Sequence, residues 1–100
     1  MRKEKCELCG NRIDPRYIER HHVVPTQVTE KAGLPESQTF KLCSDCHREI
    51  QEWYSLKVSD MTYDPKIKRF RNRSWLEMVK EYESAFNSFM KYWEKQPKLL

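Results

Sequence analysis

The residues with the most chemistry in this chain are four cysteines and three histidines, and their spacing is ordered. Cys6 and Cys9 are separated by two residues, and Cys43 and Cys46 repeat the same gap. A two-residue gap lets both thiolates of a tight turn converge on one ion, and two such turns complete a tetrahedral four-sulfur shell. A closed shell leaves no coordination position open, so its role is structural, and zinc is the expected ion. An iron–sulfur cluster is the competing occupant and a redox dithiol the competing chemistry, although a dithiol has no need of two matching pairs. In a chain of 100 residues the apolar core alone is marginal, so a metal staple could decide whether the chain folds at all.

Two histidines, His21 and His22, stand side by side just before Pro25, and the third, His47, follows Cys46 directly. Imidazole titrates near neutrality and serves either as a general base or as a metal ligand. Successive side chains of a strand point to opposite faces, so a half-buried strand would drive one of the pair into the core, at a cost unless it finds a partner. Closing a four-cysteine site pins the start of the chain to the junction at Cys43. Everything between Cys9 and Cys43 then becomes an excursion from one metal centre, and His47 is free to face the adjacent pair.

The elements that must position these groups follow from local pattern. Gly10 closes the first cysteine knuckle, where a left-handed residue is needed. Asp14 and Pro15 signal a turn, and residues 17–24 are rich enough in aromatic and β-branched types for a strand. Residues 25–38, with Pro25, Gly33 and Pro35, read as a long loop that could contain a short helical turn. A second short strand over residues 39–42 leads into Cys43. From Ser44 onward the period turns helical, with His47, Ile50, Gln51 and Tyr54 on one face. Ser74 and Glu77 form a capping box. Behind it Trp75, Val79, Tyr82, Phe86, Phe89 and Trp93 recur at the spacing of a helix running roughly 30 Å, an aromatic stripe for core or dimer packing.

The net charge of +4 is unevenly spread, with six basic against two acidic residues over 57–73. Lys66, Lys68, Arg69, Arg71 and Arg73 crowd there around Phe70, a composition suited to phosphate contacts with stacking. Taken alone, the run is equally compatible with a solvated connector before a helix. No stretch approaches the length of a membrane span, and the residues before Cys6 are charged with no apolar run, so a cytoplasmic location is expected.

Three pieces of this chain, in order, resemble the zinc-stapled branch of the HNH endonuclease family. They are Cys6-x2-Cys9, then Glu19-x-His21-His22-Val23-Val24-Pro25, then Leu42-Cys43-Ser44-Asp45-Cys46-His47-Arg48, within about residues 6–51. The resemblance implies a ββα-metal motif stapled by the four-cysteine site, which together with the long C-terminal amphipathic helix read above makes the expected fold α+β. The expected organisation is one domain over 1–100, with the zinc-stapled core at 6–56, a basic connector at 57–73 and the helix at 74–96. It further implies that His21 and His47 hold a second, catalytic divalent ion and that His22 is the general base. Arg48 would contact the phosphate next to the ion, and Glu19 could orient a histidine.

Two positions depart from the family pattern. Gln38 stands near the place of its middle asparagine, and Gln51 stands where many members carry a further histidine. An amide oxygen ligates a metal more weakly than imidazole does, so Mn, Ni or Zn is expected to bind more tightly than Mg. The leading expectation is a metal-dependent endonuclease acting on DNA, with Lys66, Lys68, Arg69, Arg71 and Arg73 on the phosphate backbone. The alternatives are a zinc-stapled module that binds nucleic acid without cutting it, and an interaction protein that dimerises through the last helix. A homodimer through that helix, and a partner protein that supplies sequence specificity, are both compatible with the nuclease.

Overall fold

A computed structural model of the protein describes residues 2–95. Over the described residues the fold is α+β: three α-helices and three two-stranded antiparallel sheets, with the four cysteines gathered at one point. Strands β1 (Glu4–Lys5) and β2 (Arg12–Ile13) flank the first knuckle, and a 3-10 turn at Pro15–Tyr17 leads into β3 (Ile18–His22). Helix α1 (Thr26–Ala32) separates β3 from β4 (Thr39–Cys43), and α2 (Ser44–Lys57) follows β4 without a break. Strands β5 (Met61–Asp64) and β6 (Arg69–Asn72) form a hairpin ahead of α3 (Trp75–Lys95).

The β3–β4 ladder sets the register of the histidines. Ile18 pairs with Cys43, His21 with Phe40 and His22 with Thr39, so the end of β3 that carries the histidines lies away from the cysteine end of β4. The expected strand over 17–24 is shorter at both ends. Pro15 holds Tyr17 in the 3-10 turn, and the sheet stops at His22, beyond which Val23 keeps a single backbone bond to the Gln38 carbonyl at 3.0 Å. The long loop expected over 25–38 contains two turns of helix. Gly33 ends α1 at φ 73°, and the Leu34 amide closes the turn on the Thr29 carbonyl at 2.9 Å.

Within the expected connector 57–73, residues 61–72 fold as the β5–β6 hairpin. Met61-Thr62-Tyr63 and Arg69-Phe70-Arg71 alternate as strands do, and Asp64 and Pro65 turn the chain between them. Alternation was legible there, but the density of cations hid it.

Two apolar clusters make up the core, and α3 lies across both. Cys6, Leu42, Cys46, Ile50, Tyr54 and Phe89 centre the first; Val23, Val24, Val28, Met78 and Val79 form the second. Tyr82 and Phe86 pack against each of them and Val79, Phe89 and Trp93 against one, so most of the stripe of α3 packs inside this chain, while Trp75 at its start stays 44% exposed. The capping box is present, with the Ser74 amide donating to Glu77 Oε1 at 2.8 Å and the Glu77 amide to Ser74 Oγ at 3.2 Å. Position 96, the expected end of this helix, lies outside the described residues.

Candidate metal centre and active site

The first knuckle is closed by backbone bonds from the Cys6 amide to the Asn11 carbonyl and from the Gly10 amide to the Cys6 carbonyl, each 2.9 Å. Gly10 takes φ 81°, where a side chain would be strained. The Glu7 amide then donates to the Lys41 carbonyl at 2.8 Å, tying the knuckle to β4. Cys43 ends β4 and Cys46 lies in the first turn of α2, so one strand-to-helix junction supplies the second pair. The four Sγ atoms lie within 4.8 Å of one another. Cys9 and Cys43 are 3.9 Å apart, close to the edge of about 3.8 Å that Zn–S bonds of about 2.3 Å impose on a tetrahedron. The quartet could therefore hold a structural metal ion such as zinc.

Its electrostatics fit that use. Burial pushes the Cys46 thiol up, and the neighbouring Cys43 side chain adds to the effect. Burial opposes ionisation of Cys6 as well, but the backbone amides of Cys43, Cys9 and Leu8 outweigh it and bring that thiol down to about 6. One thiolate therefore forms readily while Cys9 and Cys46, raised first by burial, resist. A divalent cation among them is what allows four to coexist.

The three histidines are each held by a different partner. His21 is buried, 4% exposed, and its Nε2 lies 3.3 Å from the Tyr54 hydroxyl. That hydroxyl donates to the Val23 carbonyl at 2.7 Å, so its lone pair faces His21, which gives His21 the Nε2–H tautomer and leaves Nδ1 as acceptor. Burial and the neighbouring His47 and His22 rings hold His21 down at about 4, so it is a neutral imidazole at physiological pH. His47 approaches from α2, its ring centre 5.2 Å from that of His21. Its Nδ1 lies 2.7 Å from the Glu19 carboxylate and its Nε2 lies 3.2 Å from the Gln51 amide. Glu19 and His21 are two apart on β3 and so share the face turned to α2, while His47, Gln51 and Tyr54 line the facing side of the helix.

His22 leaves β3 on the other face, and its Nε2 is bound by the Glu36 carboxylate from the loop before β4. Strand alternation thus separates the adjacent imidazoles: one stands with His47, the other with an exposed carboxylate. Gln38 is exposed and lines a recess with Glu83, Phe86 and Asn87 of α3; among the described residues its side chain bonds to no histidine. Arg48 reaches back to Asp45 at 3.3 Å on the solvent side of α2. Lys66, Lys68 and Arg69 are exposed and make no ion pair among the described residues. Arg71 and Arg73, grouped with them by charge, are committed to the fold instead. Arg71 binds Asp64 at 3.1 Å and Glu77 at 2.8 Å, and Arg73 donates to the Ser59 carbonyl at 2.8 Å and lies 3.5 Å from Glu81.

Tyr54 and Glu36 are the site residues that sequence reasoning passed over. The helical period places Tyr54 on the face of His47, and only its bond to His21 is missing from the sequence. Glu36 carried no signal, because a loop residue 14 positions from His22 meets it only after the chain has turned back. Among the described residues, the cysteine quartet is the one group of three or more His, Cys, Asp or Glu side chains that converges as metal ligands do. No helix among them is long and apolar enough to cross a membrane. Comparison with protein-family profiles, characterised proteins and solved structures finds no match for this chain.

Proposed function

We propose that the protein is a metal-dependent endonuclease of the HNH type, hydrolysing phosphodiester bonds in DNA, with zinc on the four cysteines as its structural staple. The observation that carries this reading is the Glu19–His47 pair set against neutral, buried His21. A carboxylate on Nδ1 holds the imidazole of a metal-ligating histidine in the tautomer that presents Nε2, and raises its basicity. His21 and His47 would hold a divalent ion between them, and imidazole donors suit Mn, Ni or Zn better than Mg. Such an ion, when bound, supplies positive charge for the phosphate oxygens of the transition state.

The chain's own groups do the rest. His22 leaves β3 on the face away from His21 and His47, so it serves the same phosphate only where the strand ends and the chain turns before Pro25; there, oriented by Glu36, it takes a proton from the attacking water as its oxygen bonds to phosphorus. The opposite P–O bond breaks, and the leaving oxygen is protonated from solvent. Lys66, Lys68 and Arg69 grip backbone phosphates. One observation favours a module that binds without cutting: the Gln51 amide occupies His47 Nε2, the atom an ion would need.

Nicking of supercoiled plasmid by the zinc-loaded protein, with Mg, Mn, Ni or Zn added in turn, separates the two. Wild type is expected to cut with at least one ion, and His22→Ala to lose at least a hundredfold in rate while keeping its DNA affinity, the scale on which general bases contribute. Cutting by neither, with salt-sensitive binding by both, would replace the nuclease with the binding module.

A further inference from the structure

The β5–β6 hairpin presents a face that the fold leaves uncovered. Tyr63 and Phe70 are directly paired across the two strands and form an edge-to-face pair with ring centres 5.6 Å apart. Tyr63 is 51% exposed and Phe70 65%. Met61 and Ile67, on the same hairpin, are also exposed, and none of the four belongs to either apolar cluster. The opposite face of the hairpin is anchored. Arg71 reaches Asp64 and Glu77, and the Arg73 amide donates to the Asp60 carbonyl at 2.6 Å, so the arm is held rigidly at its base.

The tip carries three cations, Lys66, Lys68 and Arg69, with no ion-pair partner among the described residues. Lys68 stands at φ 55°, a backbone conformation that glycine or asparagine adopts at lower cost. Exposed rings on one face, with Lys66 and Lys68 in the turn beside them and Arg69 on the other face opposite Asp64, complement one kind of partner, a polyanion with exposed π-faces. We propose that this hairpin is a docking arm for unpaired nucleic acid strand, with bases stacking on Tyr63 and Phe70 and the backbone following the cationic tip. Paired bases keep their faces inside the duplex, so the rings select single-stranded segments. The proposal rests on the nucleic-acid half of the preceding reading, not on cleavage.

The test is fluorescence anisotropy of a labelled oligothymidylate and of a labelled duplex, with the zinc-loaded full chain. The Tyr63→Leu/Phe70→Leu double variant keeps the apolar bulk of the hairpin, and Phe70→Trp keeps a stacking ring that reports on its own environment. Wild type is expected to favour the single strand. The leucine pair should weaken that binding by about tenfold for each ring lost, with unchanged circular dichroism. Phe70→Trp should bind as wild type does, with its added indole emission quenched by the strand. Replacing Lys66, Lys68 and Arg69 with glutamine should flatten the slope of log affinity against log salt by about 2, the counterion release of three phosphate contacts.

Leucine variants that bind the strand as tightly as wild type would overturn the proposal. So would equal affinity for duplex, or binding confined to vesicles of anionic phospholipid. Plasmid nicking measured beside these titrations keeps the two readings apart. Ring-dependent strand binding with no cutting under any ion leaves the docking arm standing and removes the nuclease, whereas cutting with ring-independent binding does the reverse.

Discussion

A histidine becomes a useful ligand when something fixes which nitrogen carries its proton, and in this chain each of the three has a dedicated partner. Glu19 does this for His47, Tyr54 for His21 and Glu36 for His22. The motif named Glu19 only as a candidate, and its place on the α2-facing side of β3 gives it a specific atom to act on, Nδ1 of His47. Replacing Glu19 with glutamine keeps the size of the side chain and removes its charge, so affinity for an added divalent ion is expected to fall about 10–100-fold. Calorimetric titration of zinc-loaded protein with Mn(II) measures this, and an unchanged affinity would reduce Glu19 to a surface charge. Gln51 works in the opposite sense, since its amide must turn away from His47 Nε2 before an ion can take that atom.

At the scale of elements, α3 begins where two interactions meet on one carboxylate. Glu77 accepts from the Ser74 amide as a capping-box residue and is also bound by Arg71 of β6, so the hairpin and the helix start share an anchor. The Arg71 guanidinium first, and the Ser74 amide next, hold the Glu77 carboxyl down at about 2, below its ordinary 4.5. A carboxyl depressed by folding stabilises the fold fully above its unfolded value and stops doing so as pH falls through its folded value. Thermal melts of wild type and Glu77→Gln should therefore differ by a constant interval above about pH 5 and converge as pH approaches 2. A gap that persists to the acid end would mean that the amide loses packing rather than charge. The capping box was legible in the sequence because its two members are three residues apart. The Arg71–Glu77 pair was not, because it depends on a hairpin that dense positive charge disguised as a connector.

For the molecule as a whole, the cysteine centre and α3 hold the parts together and meet in the first apolar cluster. The quartet joins the first knuckle to the β4–α2 junction, and α3 spans the two apolar clusters. If zinc fills the quartet, chelation should abolish cooperative melting and expose apolar surface, because the buried sulfurs of Cys6 and Cys46 then lose their charge partner at the centre of the first cluster. Zinc stoichiometry, circular dichroism and dye binding before and after chelation check this; a chelated protein that melts as before would show that the apolar clusters suffice. What the sequence determined by itself is whatever depends on near neighbours: the two cysteine knuckles, the switch from strand to helix at Ser44, the capping box and the shared helix face of His47, Gln51 and Tyr54. Tertiary structure decided the rest. Strand pairing set which imidazole faces α2 and brought Glu36 to the other, and the β5–β6 turn split one run of cations into two anchors and three free charges. Partners fourteen or more residues apart are chosen by how strands and helices pack, and no local period carries that information.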